Sequence, residues 1–228
     1  MLPILDEAPR VAAAIRRAHA MAGQVVVVDG GSRDDSLSLA QAAAPRAIAI
    51  AAPRGRASQM NAGARRCGGD ILVFLHADVE PPADAARAIV DAVDRGARWG
   101  RFDVRLVPST PLLRLVSAMM NRRSRLTGIA TGDQVMFVTR AAFDAVGGFP
   151  ALELMEDIEL STRLRRSAGR PACLPGPVHV DARRWHRDGV LRTIVSMWWI
   201  RLLYWLGADH RALRDRYYGT RTCRSGRR

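Results

Sequence analysis

Short apolar runs alternate with longer stretches of mixed polarity along most of the chain. Gln24 to Val28 is an apolar run closing on Asp29-Gly30-Gly31-Ser32, and the spacing that follows predicts a helix over Asp34 to Ala44, closed by Pro45. Ala47 to Ala51 gives a second run and Ala57 to Arg66 a helix of small residues. Asp70 then opens Ile71-Leu72-Val73-Phe74-Leu75, five apolar residues that read as a strand buried on both faces. Pro81-Pro82 begins an amphipathic helix with Ala85, Ala86, Ile89, Val90 and Val93 inward, stopping near Gly96. Phe102 to Val107 and Val135 to Thr139 supply further strands, and Leu152 to Arg166 a charge-rich helix. This alternation predicts an α/β fold with a mostly parallel central sheet flanked by helices. It requires a first strand before Leu5, where only Met1 to Ile4 are available. That strand is expected to be very short or cut by a misplaced start, the second being favoured.

The pattern changes near residue 190. Val190 to Leu206 places Trp198, Trp199, Tyr204 and Trp205 among aliphatics, interrupted by Arg192 and Arg201. The run is too short and too charged to span a bilayer. Two readings stay open: an interfacial helix with tryptophan at headgroup depth, or a helix packed on the domain or a partner. The expected organisation is a main domain over residues 1–189, an aromatic amphipathic segment over 190–219 and a disordered basic tail over 220–228.

Composition narrows the function. All 35 basic residues are arginine, so lysine Schiff-base chemistry is excluded. The net charge of +13 favours phosphate-bearing partners or an anionic membrane surface. Three dispersed cysteines, Cys67, Cys173 and Cys223, form neither a disulfide framework nor a paired zinc motif. No signal peptide is legible, because Asp6 and Glu7 follow the start almost at once, and a cytoplasmic setting is expected.

Candidate chemistry lies where the apolar runs stop. His76 and Asp78, two apart after the Leu75 run, would share a face on an extended segment and could grip one cation. Asp29 precedes two glycines that let a ligand approach the backbone. Arg54-Gly55-Arg56 leads into a helix start suited to a diphosphate. Glu156-Asp157 opens the charge-rich helix, where a carboxylate is either a dipole complement or a base for a hydroxyl nucleophile.

Taken in order, Pro3 through Glu7, Asp29-Gly30-Gly31-Ser32, Gly55-Arg56 with Gln59-Met60-Asn61-Ala62-Gly63, Leu75-His76-Ala77-Asp78, Gly132-Asp133-Gln134, Glu156-Asp157-Ile158-Glu159 and Arg183-Arg184-Trp185 resemble the family 2 glycosyltransferases. The likeness runs from about Leu2 to Gly219. It is narrowest to a small bacterial branch with Leu-His-Ala-Asp in place of Asp-x-Asp. The resemblance implies a single Rossmann-like GT-A domain, a nucleotide-sugar donor (a UDP-sugar favoured) and Mg²⁺ or Mn²⁺. It further implies that Pro3, Glu7, Asp29, Arg54, Arg56, Asn61 and Arg184 line the nucleotide pocket. Asp78 would hold the metal, with His76 or His179 as a second ligand. Asp157 would be the base with Glu156 beside it, and Asp133, Gln134 and Trp185 would meet the acceptor.

Two departures shape the expectation. Asp6 stands where many relatives carry Asn, and Asp181 where processive polymer synthases carry Gln, which argues against a polysaccharide synthase. The expected reaction is an inverting displacement onto a hydroxyl or carboxyl of a lipid-like acceptor, at the inner face of the cell membrane, with no nucleic-acid partner. A sugar-phosphate nucleotidyltransferase would need a glycine-rich phosphate loop and usually a lysine, neither of which is present. A non-enzymatic basic membrane-associated module would be indifferent to Asp78 and Asp157.

Overall fold

The computed structural model describes residues 1–43 and 47–218. The predicted helix end at Ala44 and Pro45 and the tail from Thr220 lie outside them. The elements run β1 (Leu2–Ile4), α1 (Ala8–Met21), β2 (Val26–Asp29), α2 (Ser36–Ala43), β3 (Ile48–Ala51), α3 (Arg56–Arg66), β4 (Ile71–Phe74), β5 (Val79–Glu80), α4 (Ala85–Asp94), β6 (Trp99–Val107), α5 (Pro111–Thr127), a 3-10 turn (Gly132–Gln134), β7 (Met136–Thr139), α6 (Arg140–Ala145), α7 (Glu156–Ala168), β8 (Ala172–Asp181), α8 (Arg183–Asp188), α9 (Val190–Trp205) and α10 (His210–Tyr218).

β1, β2 and β3 pair in parallel, with Leu2 opposite Val27 and Val26 opposite Ile48. Met1 extends this sheet onto β4: its amino group donates to the Val73 carbonyl (2.7 Å) and its carbonyl accepts from Leu75 N–H (3.0 Å), a parallel ladder step. Beyond β4 the order is β7, β6, β8, β5, with β6 and β8 parallel and the β4–β7, β7–β6 and β8–β5 pairs antiparallel. The first strand is short, but it forms and sits in the middle of the sheet. Val25 to Val28 are each at most 1% exposed, as a central strand covered on both faces requires.

Helices cover both faces. One core layer joins Val11 and Ile15 of α1, Ile89 of α4 and Leu113 and Val116 of α5; the other joins Met60 and Ala64 of α3, Phe143 of α6 and Leu160 and Leu164 of α7. On α4, Ala85, Ile89 and Ala92 turn inward, whereas Val90 is exposed. Val90, about 100° round the helix from Ile89, leaves the expected inward set, whereas Ala86 and Val93 pack against the core half-buried. α7 starts at Glu156 rather than Leu152, because Met155 caps it with a left-handed φ of 68°. α9 forms over nearly the span expected, with Thr193 and Ile200 buried.

Candidate active site

Ligands of open α/β sheets gather at the carboxyl ends of the strands. Here Asp6 and Glu7 follow β1, Asp29 ends β2 and Asp78 follows β4, and Asp78 is a charge neighbour of Glu7. Asp6 follows β1 with φ 53°, a conformation Asp and Asn tolerate better than most residues, and its Oδ1 accepts from Arg33 N–H (2.8 Å). Glu7 donates its N–H to Ser36 Oγ (2.8 Å) and pairs with Arg10 at 3.1 Å. Burial pushes the Glu7 carboxyl up, Arg10 opposes that, and the charges of Asp78 and Asp34 add to it. Asp29 is buried and accepts from Gly31 N–H (2.9 Å) and Ser32 N–H (3.1 Å), so it shapes the glycine turn it precedes. Pro3 is half-buried within β1.

Below these ends, the Gln59 amide of α3 donates to Ile4 O (2.9 Å) and Val28 O (2.8 Å), tying β1 to β2. Gly30 makes room for it: a Cβ there would lie 3.0 Å from the Gln59 amide.

A second group of acids meets this edge from the later half of the chain. Glu156 is buried and its carboxyl is pushed up to about 7, first by burial and then by the neighbouring charge of Asp157. Asp157 accepts from Gly132 N–H (2.8 Å) and Ile158 N–H (2.7 Å); burial still raises its carboxyl above the ordinary range. Asp133 is pushed up to about 6 by burial and by Asp78 and Asp157, against the pull of Arg56 and Arg184. Arg56, at the start of α3, is a charge neighbour of His76, Asp133, Glu156 and Asp157 alike. One guanidinium therefore serves three carboxyl groups.

Several expected roles change. β4 stops at Phe74 and the chain turns, Val79 N–H donating to His76 O (3.2 Å), so His76 and Asp78 do not lie on one extended face. His76 is buried and pushed down to about 3 by burial and by Arg56, which keeps the imidazole neutral. It borders a cavity of about 10 Å³ with Gly132, Glu156 and Asp157, whereas Asp78 faces a groove of about 370 Å³ with Arg10, Arg17, Glu80, His179 and Asp181. Asn61, expected to line the nucleotide pocket, has both amide atoms on Phe149, donating to its carbonyl (2.8 Å) and accepting from its N–H (2.9 Å), and so clamps the turn that follows Gly147-Gly148. Gln134 is fully buried and caps its own turn, its Oε1 accepting from Thr131 N–H (3.2 Å), and the Trp185 ring lies in the core. Neither side chain is at a surface where an acceptor would meet it. Arg54 is exposed on the loop before α3, and Arg184 pairs with Asp188 at 3.7 Å.

One residue had no sequence signal. Arg123 of α5 is largely buried beside Asp157, and burial lowers its guanidinium while the Asp157 charge opposes the shift. Nothing in a surface-like Asn-Arg-Arg-Ser run marks it.

Among the described residues no three His, Cys, Asp or Glu side chains converge as a metal cage. Asp78 offers a half-buried carboxylate just beyond the end of β4. That donor set fits a divalent cation held mainly by substrate phosphates and water, the common arrangement for Mg²⁺.

Residues 1–143 match the family described as Glycosyl transferase family 2. An undecaprenyl-phosphate 4-deoxy-4-formamido-L-arabinose transferase of Pseudomonas syringae pv. syringae is 32% identical over 108 residues, 42% of this chain and 32% of that protein. The enzyme of the same name from Pseudomonas aeruginosa strain LESB58 is 30% identical over 142 residues, 57% of this chain and 40% of that protein. The chain thus spans about a third of the first of these relatives. Among solved structures, residues 1–349 of S. aureus TarS superpose with a TM-score of 0.65 at 14% identity, covering 79% of this chain and 59% of that one. M. tuberculosis glucosyl-3-phosphoglycerate synthase, in complex with Mn²⁺, UDP-glucose and phosphoglyceric acid, gives 0.62 at 17% identity over 91% and 79%. At these identities the likeness is one of fold.

Proposed function

The chain belongs to glycosyl transferase family 2, and from that premise we propose that it moves a sugar from a nucleotide-sugar donor, a UDP-sugar by preference, onto a lipid-like acceptor by inverting displacement. The observation that carries this reading is the set of acids gathered around Arg56 at the strand ends, with Asp157 held by two backbone N–H groups. Glu7 and Asp29 lie where the base and ribose of the donor would sit, and Arg56 and Arg184 stand near its diphosphate. Asp78 and the donor phosphates would hold Mg²⁺ or Mn²⁺, and the bound ion would neutralise charge growing on the departing diphosphate.

Asp157 takes the proton of the attacking acceptor oxygen, that of a hydroxyl or of a phosphate that arrives as its monoanion. Its raised proton affinity suits a base working near neutral pH, and the Gly132 N–H fixes its orientation. Burial and the charge of Asp157 push the Glu156 carboxyl up to about 7, so its proton affinity is raised beside the proposed base. Arg56 and Arg123 offset the charge of the acids. Neutral His76 packs beside them and does not compete for the proton.

The names of the curated relatives favour a lipid phosphate as the acceptor class. Among the described residues no helix is long and apolar enough to cross a membrane; the proposed setting is cytoplasmic, at the inner face of the cell membrane. Calorimetric titration of UDP-glucose and GDP-mannose with and without Mn²⁺ tests the donor half. Binding of UDP-glucose that needs Mn²⁺ and is lost in Asp78→Ala is the expected result. Failure of both nucleotide sugars to bind would overturn it.

A further inference from the structure

We infer that the outer face of α9 is a docking surface for an anionic lipid bilayer, on which the helix lies flat. Leu191, Val195, Trp198, Leu202, Trp205 and Leu206 recur at three- and four-residue spacing and form one stripe. All are exposed, Leu191 at 71%, Trp198 at 67% and Trp205 at 79%. So large a contiguous apolar face marks an interaction site on a water-exposed protein. Its margins specify the partner. Arg192 follows Leu191 and Arg201 precedes Leu202, so at about 100° per residue the two guanidinium groups fall on opposite edges of the stripe. Arg216 reaches the Trp199 ring at 6.0 Å from beyond the helix. Apolar residues with tryptophan in the centre and arginine on both rims match the interface of an anionic membrane, where arginine snorkels to phosphate and tryptophan sits at headgroup depth. The net charge of +13 supports approach to the same surface.

The inner face of α9 links that surface to the acids. Ile200 packs with Leu154 and Leu213, and Met155 and Leu203 join this cluster. The Tyr204 hydroxyl donates to Glu159 (3.4 Å). Leu154 and Met155 immediately precede Glu156 and Asp157 in the chain. Docking through α9 therefore holds the proposed base on the order of one helix diameter, about 10 Å, behind the membrane plane, within reach of a lipid headgroup. The purpose of docking rests on the proposed acceptor, whereas the docking itself does not.

The test is sedimentation of the full chain with phosphatidylcholine vesicles, with and without phosphatidylglycerol, alongside light scattering and calorimetric UDP-glucose binding. Partition onto phosphatidylglycerol vesicles, weakening as salt rises, is expected. Trp198→Ser with Trp205→Ser should lower it roughly tenfold or more, and Arg192→Gln or Arg201→Gln about fivefold each. Trp198, Trp205 and Arg192 are exposed and Arg201 is half-buried at the rim of the stripe, so circular dichroism and donor affinity should be unchanged. Absence of partition, partition indifferent to both tryptophans, or a dimer that the same two substitutions dissolve would each overturn the inference. Vesicle binding without donor binding would instead retire the proposed function and leave docking standing; donor binding without vesicle binding would do the reverse.

Discussion

Replacing Glu156 by glutamine should make the folded chain more stable at pH 8 than the wild type. The side chain keeps its volume but can no longer ionise. In the folded state the carboxyl is pushed from its ordinary 4.5 up to about 7 by burial and by Asp157. Between those values the folded chain binds the proton more tightly than the unfolded chain, so this group's contribution to stability falls as pH rises through the window. At about 1.4 kcal/mol per pH unit, the full cost of ionisation above pH 7 is on the order of 3 kcal/mol, and below pH 4.5 it is absent. Urea unfolding of both proteins at pH 5 and pH 8, without donor, measures it as a change in midpoint at constant m. The variant's advantage should be near 3 kcal/mol at pH 8 and less than 1 kcal/mol at pH 5, in order of magnitude. An advantage of the same size at both pH values, or a variant less stable at pH 8, would refute the burial argument.

Other substitutions probe the same region. Asp157→Asn should lower turnover by roughly 10²-fold or more with donor affinity nearly intact, by steady-state kinetics and calorimetry; a loss under about tenfold would retire Asp157 as the base and favour a nucleophile that arrives ionised, such as a phosphate. Gly132→Ala would bring a Cβ to 2.6 Å from His76 Nε2 and disturb the N–H that holds Asp157. A fall in kcat of roughly tenfold to a hundredfold is expected, with an unchanged kcat counting against the positioning role. Gln59→Leu removes two donors from buried carbonyls and should cost about 1–3 kcal/mol in urea unfolding; a cost below measurement would mean that the β1–β2 link is redundant.

Local pattern carried the parallel half of the sheet because its strands are short apolar runs bounded by polar turns, and the runs near Asp29 and Leu75 are where β2 and β4 form. Two large elements escaped it. β8 is interrupted by Pro175, Gly176 and Pro177, which look like a loop, yet it pairs with β6 around a register shift. α5 carries both N-terminal signals, Thr110 accepting from Leu113 N–H and Pro111 in the first turn, but its inward residues include Ser117 and Ser124. Ser117 donates to the Leu113 carbonyl and Ser124 accepts from the fully buried Arg101. Polar residues satisfied in the core erase the periodicity on which a helix is read. At the site, the acids were legible by motif order. The occupied states of Asn61, Gln134 and Trp185 were not, since each is committed to a partner that only folding brings near.

The charge balance of the site bears on how a donor can enter it. Burial first, with the charges of Asp78 and Asp157 adding to it, holds Asp133 up to about 6, and burial with the charge of Asp157 holds Glu156 up to about 7, even with Arg56 among them. A diphosphate adds further negative charge to a region that already fails to ionise fully. The apo site is therefore poised against the ligand it is proposed to take, and its carboxyl protons and a divalent cation are alternative ways of relieving the same excess. Preorganised charge of this kind costs stability in the resting protein and offers directed electrostatics once the counter-charge is in place. The α7 start shows how the cost is sustained. Met155 is held in a left-handed conformation within the Leu154–Ile200–Leu213 cluster, so hydrophobic packing against α9 fixes the backbone that presents Glu156 and Asp157.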